Sequence, residues 1–188
     1  EHTLSLPQVT KLEKLLDRRA AHEPLAYLRG KTEFYGREFV LTPAVLEPRP
    51  ESETMIDLLK SLVKSRENFP RKDQTLHIAD VGAGSGALGI TAKLELPDAQ
   101  VDLIELDPSA AKVAQTNVDL FTLNIRVIEA DLLHSNQNHY DVLLCNLPYV
   151  PDDFVVNPAA THEPRLAIFG GTDGLEVYRK LFNQLLAR

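Results

Sequence analysis

Ile78-Ala-Asp-Val-Gly-Ala-Gly-Ser-Gly86 decides the fold: an apolar strand runs into glycines at 82, 84 and 86, and a helical pattern follows. Glycines there admit dihedrals closed to other residues and let the backbone approach a ligand without a Cβ in the way. Outward from this stretch, strand and helix patterns alternate. The strand over Leu76–Val81 leads to a helix over Leu88–Leu96, then strand Gln100–Glu105 to a helix over Ser109–Phe121. Strand Ile125–Ile128 follows and, after a polar loop, strand Tyr140–Cys145. Such alternation predicts an α/β fold, a parallel sheet with helices on both faces and a ligand crevice at the carboxyl ends of its strands.

Upstream, the period of 3.6 residues predicts a helix from about Pro7 to Ala21 with Val9, Leu12, Leu15 and Leu16 on one face. A short helix over Pro24–Leu28 is expected to stop at Gly30, and residues 33–41 read as a hairpin around Gly36. Its aromatics, Phe34, Tyr35 and Phe39, suit packing against the domain or roofing a ligand. From Pro50 a further helix places Met55, Leu58, Leu59 and Leu62 on its inner face, and the polar stretch Ser65 to Thr75 reads as a linker. The expected units are a helical remnant with linker (1–31), a hairpin (32–48) and a ligand-binding domain (49–188).

The 188 residues carry 44% hydrophobic and 25% charged residues, an ordinary globular balance. Lys and Arg number 20 against 27 Asp and Glu, a net charge of -7, which disfavours stable binding of long nucleic acid. No apolar run reaches the roughly 20 residues of a membrane span. One cysteine, Cys145, excludes an internal disulfide, and the six histidines lack metal-ligand spacing, so no metal is expected. A start at Glu1-His2-Thr3 reads as a chain beginning within a longer protein.

The glycine spacing is G-x-G-x-G, not the dinucleotide G-x-G-x-x-G, which sets a nicotinamide enzyme aside. Three acids extend the ligand reading. Glu105 ends the second strand, where a carboxylate can take both hydroxyls of a ribose; Asp107 is its rival. Asp131 follows the third strand, where an adenine edge would lie, and Asp80 is placed to meet an amino group or to brace the loop. Gly82, Ala83, Gly84 and Gly86, with Leu106 and Leu132 beside the acids, complete the expected cofactor shell. The fourth strand delivers Asn146-Leu-Pro-Tyr149 to the same crevice. The Asn146 carboxamide and the Leu147 carbonyl offer two acceptors for one –NH₂ group, Pro148 fixes the path between them, and Tyr149 offers a flat surface. That arrangement points to methyl transfer from a sulfonium donor to a planar amide or amino nitrogen, driven by proximity and electrostatics. Cys145 reads as a strand residue rather than a nucleophile.

These residues resemble a known family, the release-factor glutamine N5-methyltransferases of the HemK/PrmC type. The resemblance runs through Glu23-Pro-Leu-Ala-Tyr27, Glu33-Phe-Tyr-Gly36, Val45-Leu-Glu-Pro-Arg-Pro-Glu-Ser-Glu53, the glycine loop and Asn146-Leu-Pro-Tyr149. It continues through Glu163-Pro-Arg-Leu-Ala167 and Gly170-Gly-Thr-Asp-Gly-Leu-Glu-Val-Tyr178. It implies a class I methyltransferase with S-adenosylmethionine as donor and S-adenosylhomocysteine as product. The implied acceptor is the glutamine of a Gly-Gly-Gln loop in a peptide-chain release factor. Asn146 and the Leu147 carbonyl would bind its amide, with Tyr149, Phe34 and Arg49 around it and Glu51 and Glu53 bracing the wall. A cytoplasmic protein is implied, or a mitochondrial one in a eukaryotic host. Leu147 stands where the family usually has proline, and Ala130 where it commonly has glycine. The chain is also short: the last strands of a seven-stranded sheet are not in it, which predicts an open pairing edge unless something covers it. The alternatives are an adenine or guanine N-methyltransferase and a truncated, non-catalytic cofactor- or partner-binding module.

Overall fold

The computed structural model describes residues 3–65, 75–134 and 138–187. The expected linker lies almost wholly outside these residues. Helices α1 (Leu6–Ala20) and α2 (Leu25–Arg29) come first, followed by a hairpin of β1 (Lys31–Phe34) and β2 (Arg37–Val40). Then come α3 (Glu53–Ser65), β3 (His77–Val81), α4 (Ala87–Glu95), β4 (Gln100–Glu105), α5 (Pro108–Leu120) and β5 (Arg126–Glu129). Strand β6 (Val142–Cys145), α6 (Arg165–Ile168) and α7 (Glu176–Leu186) complete the order.

Strands β3 to β6 form one parallel sheet in the order β5-β4-β3-β6. The chain builds outward from β3 to β5 and then returns to the other side of β3, so the connections diverge between β3 and β6. Ligands of open α/β sheets bind at that divergence, beyond the strand carboxyl ends. Side chains alternate across the sheet as strand geometry requires. Ile78, Val101, Leu103 and Leu144 join a core with Ile56 and Leu59 of α3, Ile90 of α4 and Val118 of α5. Ala79, Val81 and Ile104 meet Leu181 of α7 on the opposite face. Helices thus cover both faces. Among the described strands, none pairs with β6 on the side away from β3.

The hairpin belongs to the same core. Phe34 and Phe39 are buried with the sheet residues, their rings edge to face at 6.4 Å. Asn117 of α5, fully buried, fastens it there. Its Oδ1 accepts from Val40 N (2.8 Å), and its Nδ2 donates to the carbonyls of Val40 (3.0 Å) and Ser85 (2.9 Å).

Two helical faces differ from the sequence expectation. In α3 the buried residues are Ile56 and Leu59, while Leu58 and Leu62 point outward at 60% and 40% exposure. Ile56, Leu59 and Val63 satisfy the helical period as well as the expected set, and packing against α4 selects them. In α1 no residue is buried, and Leu12 and Leu16 are largely exposed. No helix among the described residues is long and apolar enough to cross a membrane.

Candidate active site

A cavity of about 290 Å³ opens at the carboxyl ends of β3, β4 and β6. Its floor is the turn after β3, including Gly82, Ala83, Gly84 and Ser85. Gly84 has φ +55° and open space where a Cβ would stand, so the missing side chain leaves room in a conformation that glycine adopts without strain. Gly86 caps α4 just behind.

Three carboxylates surround this floor, one from each of the successive strand ends. Asp80 is buried and accepts from Gly89 N at 2.8 Å; burial, opposed by that bond, pushes its carboxyl up to about 7. Glu105 accepts from Gly84 N (2.8 Å) on one oxygen and from Leu106 N (2.8 Å) and Asp107 N (2.9 Å) on the other. A carboxylate has about four acceptor positions, so three are filled by backbone here. Asp107, the rival for a ribose, instead caps α5 by accepting from Ser109 N (2.6 Å) and Ala110 N (3.2 Å). Asp131 lines the far wall with Leu132 and pairs with Lys180 of α7. Leu132 holds φ +55°, an uncommon conformation for leucine, in a turn tied to α7 by Gln184: Leu133 N donates to its Oε1 at 2.7 Å, and its Nε2 donates to Asp131 O at 3.2 Å.

The end of β6 supplies the remaining wall. Asn146, Leu147 and Pro148 line the cavity. Leu147 points its side chain into the core, where a Cβ on Gly82 would stand 2.8 Å from Leu147 Cδ2. The leucine therefore anchors the turn by burial while its carbonyl remains available. That carbonyl meets the Tyr178 hydroxyl only at 3.5 Å and retains acceptor capacity. Asn146 Nδ2 donates to the Ser52 hydroxyl at 3.3 Å. Burial pushes the neighbouring Cys145 thiol up to about 12, which keeps it protonated and unreactive.

The structure brings together Asp80, Gly82, Ala83, Gly84, Glu105, Leu106, Asp131, Leu132, Asn146, Leu147, Pro148 and Phe34 around one cavity. Three expected residues do not line it: Gly86 sits behind the floor as the N-cap of α4, and Tyr149 and Arg49 stand elsewhere. Tyr149 is 63% exposed beyond the mouth, because the chain turns outward after Pro148. The Arg49 guanidinium is drawn away to Glu163, whose buried carboxylate it meets at 2.5 Å. Phe34 reaches the cavity wall from the core and is 1% exposed, too enclosed to present a ring face. Sequence reasoning missed Ser52, Asn117 and Lys180. Ser52 lay inside the quoted 45–53 segment; Asn117 and Lys180 carry no local signal, since their partners are far along the chain.

A family model for the methyltransferase small domain matches residues 57–163. A release factor glutamine methyltransferase of Koribacter versatilis is 32% identical over 190 residues, which is 98% of this chain and 65% of the relative. A bifunctional methyltransferase of Rickettsia prowazekii is 33% identical over 195 residues, 93% of this chain but 37% of the relative. The chain thus spans between about a third and two thirds of the lengths of these relatives. The catalytic domain of human METTL16, solved with a MAT2A 3′UTR hairpin, matches with a TM-score of 0.60 over 93% of this chain and 73% of that one. At 13% identity that likeness is one of fold, the class I methyltransferase sheet. The glycine turn, the carboxylates at the strand ends and the family match over most of the sheet agree: the chain belongs to the methyltransferase small domain family.

Proposed function

We propose that this chain binds S-adenosylmethionine in the strand-end cavity and methylates the side-chain amide nitrogen of a glutamine in a peptide-chain release factor. One observation carries the reading: Asn146 and Leu147 line the same cavity as the glycine turn and the three carboxylates. The residues fit the cofactor chemically. Gly84 leaves the floor open, Glu105 and Asp131 offer acceptors to hydroxyl and amino groups, and the acids suit a cationic ligand. The unit spanning 49–188 would hold the cofactor, with the hairpin closing the core behind it. The named relatives supply the acceptor class.

Bound there, S-adenosylmethionine supplies a methyl group activated by its sulfonium. The protein's part is geometry. Asn146 Oδ1 and the Leu147 carbonyl each accept one N–H of the glutamine amide, which fixes its plane and turns the nitrogen toward the methyl group. An amide nitrogen is a poor nucleophile because its electrons are conjugated. Acceptors on both N–H bonds strengthen as positive charge develops on nitrogen, so they stabilise the transition state more than the ground state. Transfer would leave the C–S electron pair on sulfur, and the nitrogen would then release one proton to solvent.

The test is mass spectrometry of a release factor incubated with this chain and S-adenosylmethionine. One added methyl on the Gly-Gly-Gln glutamine, lost with Asn146→Ala, is the expected result. A well-folded chain that binds cofactor tightly yet leaves that glutamine unmodified, or that methylates a nucleic-acid base instead, overturns the reading.

A further inference from the structure

The segment Arg49-Pro-Glu-Ser-Glu53 has no direct place in the chemistry above, yet it is anchored at both ends beside the cavity. Arg49 Nη2 donates to Glu163 at 2.5 Å, and the other oxygen of Glu163 accepts from Glu47 N at 3.2 Å. The Glu163 side chain is only 2% exposed, so this charge is enclosed and paired. At the other end, Glu53 accepts from Tyr35 N at 2.7 Å, which ties the turn to the hairpin. Between the anchors, Ser52 N donates to Arg49 O at 2.9 Å and closes a single 3₁₀ turn over Pro50–Ser52. The tip of that turn places the Ser52 hydroxyl against Asn146 Nδ2.

A carboxamide has two nearly isosteric ends with opposite hydrogen-bonding character. Only one orientation of Asn146 serves the acceptor. With its oxygen toward the cavity it accepts an N–H; flipped, it sets its own N–H groups against those of the acceptor. We propose that Ser52 is a positioning residue for Asn146. Its hydroxyl accepts from the carboxamide nitrogen and pins the carboxamide in place; a hydroxyl can bond either end of an amide, so the N–H groups of the acceptor then select the oxygen as the end that faces them. The turn from Arg49 to Glu53 is the brace that keeps the hydroxyl there. This inference rests on the role given to Asn146 in the proposed function, and it assigns Arg49 and Glu53 as supports for that brace rather than contacts of the substrate.

The expected pattern separates the hydroxyl from mere shape. Ser52→Ala lowers kcat on the release factor about ten- to a hundredfold, the range for a misaligned reacting group. KM for the release factor and the affinity for S-adenosylhomocysteine stay within about twofold. Ser52→Thr restores most of the rate, whereas Ser52→Val, with the shape of threonine but no hydroxyl, stays as slow as alanine. Valine as fast as threonine, or an equal collapse of cofactor affinity in Ser52→Ala, overturns the proposal by making the residue a packing element of the wall.

A second readout does not depend on which acceptor the enzyme uses. In NMR spectra of the cofactor-product complex, the side-chain NH₂ pair of Asn146 is identified by its loss in Asn146→Ala. Ser52→Ala should shift that pair and speed its exchange with water. Unchanged signals overturn the positioning role even in a chain that methylates a release factor. Changed signals in a chain that does not would sustain the positioning role while the acceptor assignment fails.

Discussion

Replacing Asn117 tests how the hairpin and the glycine turn are joined. This residue is fully buried and makes three hydrogen bonds, two to the backbone of Val40 and one to Ser85 O, at 2.8–3.0 Å. Asn117→Leu keeps the number of heavy atoms, so no cavity is created, and the loss of the three hydrogen bonds is joined by some overpacking from the bulkier methyl groups. Each buried backbone group left without a partner costs about 1–3 kcal/mol. Val40 is half-buried, so its two groups recover part of that from water. The sum is about 3–5 kcal/mol, a large share of the roughly 5–15 kcal/mol that holds a domain together. For a chain of this size the midpoint of thermal unfolding should fall by roughly 10 °C. Urea unfolding followed by circular dichroism gives the free energy, and calorimetry with S-adenosylhomocysteine gives the second arm. Because Ser85 lies in the glycine turn, the affinity should weaken several-fold at a temperature where the variant is folded. A loss below about 1 kcal/mol with an unchanged denaturant slope would refute the claim that this one side chain joins the two elements.

Two further predictions concern buried polar groups. Among the described residues the Thr91 hydroxyl is buried without a hydrogen-bond partner, so Thr91→Val should raise stability by about 1 kcal/mol, and a lower unfolding midpoint would contradict this. Burial lifts the Asp80 carboxyl from 3.8 to about 7 in the folded chain. Between these values the folded state holds a proton that the unfolded chain has released, so stability declines as pH rises from about 4 to 7 and levels off above. Urea unfolding across that window should show the decline in the wild-type chain and lose that part of it in Asp80→Asn; equal slopes in both would remove Asp80 as its source.

The strand and helix order was legible because its signals are local. Strands β3, β4 and β6 are short, mainly apolar runs, and the breaks after β3, α4 and β4 carry glycine, proline or a capping acid. The end of β4 illustrates this: an apolar run stops at Glu105, and Asp107 then caps α5. The face of α3 was not legible, because Ile56-Leu59-Val63 and Leu58-Leu62 both obey the helical period and only α4 chooses between them. The site divides in the same way. Residues that touch the cavity from a strand end could be read from position in the strand–turn–helix pattern. Residues that act by tertiary contact could not: Asn117 meets Val40, and Ser52 meets Asn146, across distant parts of the sequence. Arg49 was expected at the site from the family resemblance, yet its guanidinium pairs with Glu163.

The turn of residues 49–53 and the loop over 170–174, both within the resemblance, share a physical purpose, and it is not chemical. Beyond β6 the chain pairs with the loop after α6: Val150 N donates to Ile168 O at 3.0 Å and Gly170 N to Val150 O at 2.9 Å. A Cβ on Gly174, which holds φ +77°, would stand 2.2 Å from Tyr149 O. No side chain fits there, so the loop over 170–174 is glycine-rich because it lies directly on the backbone of the acceptor turn. On the other side, the turn of residues 49–53 presses Ser52 against Asn146. Asn146-Leu-Pro-Tyr149 is therefore gripped from both sides by backbone and enclosed charge. The contacts that polarise an –NH₂ group would suit an amide or a base amine equally. Selection between them must then come from residues other than these two acceptors.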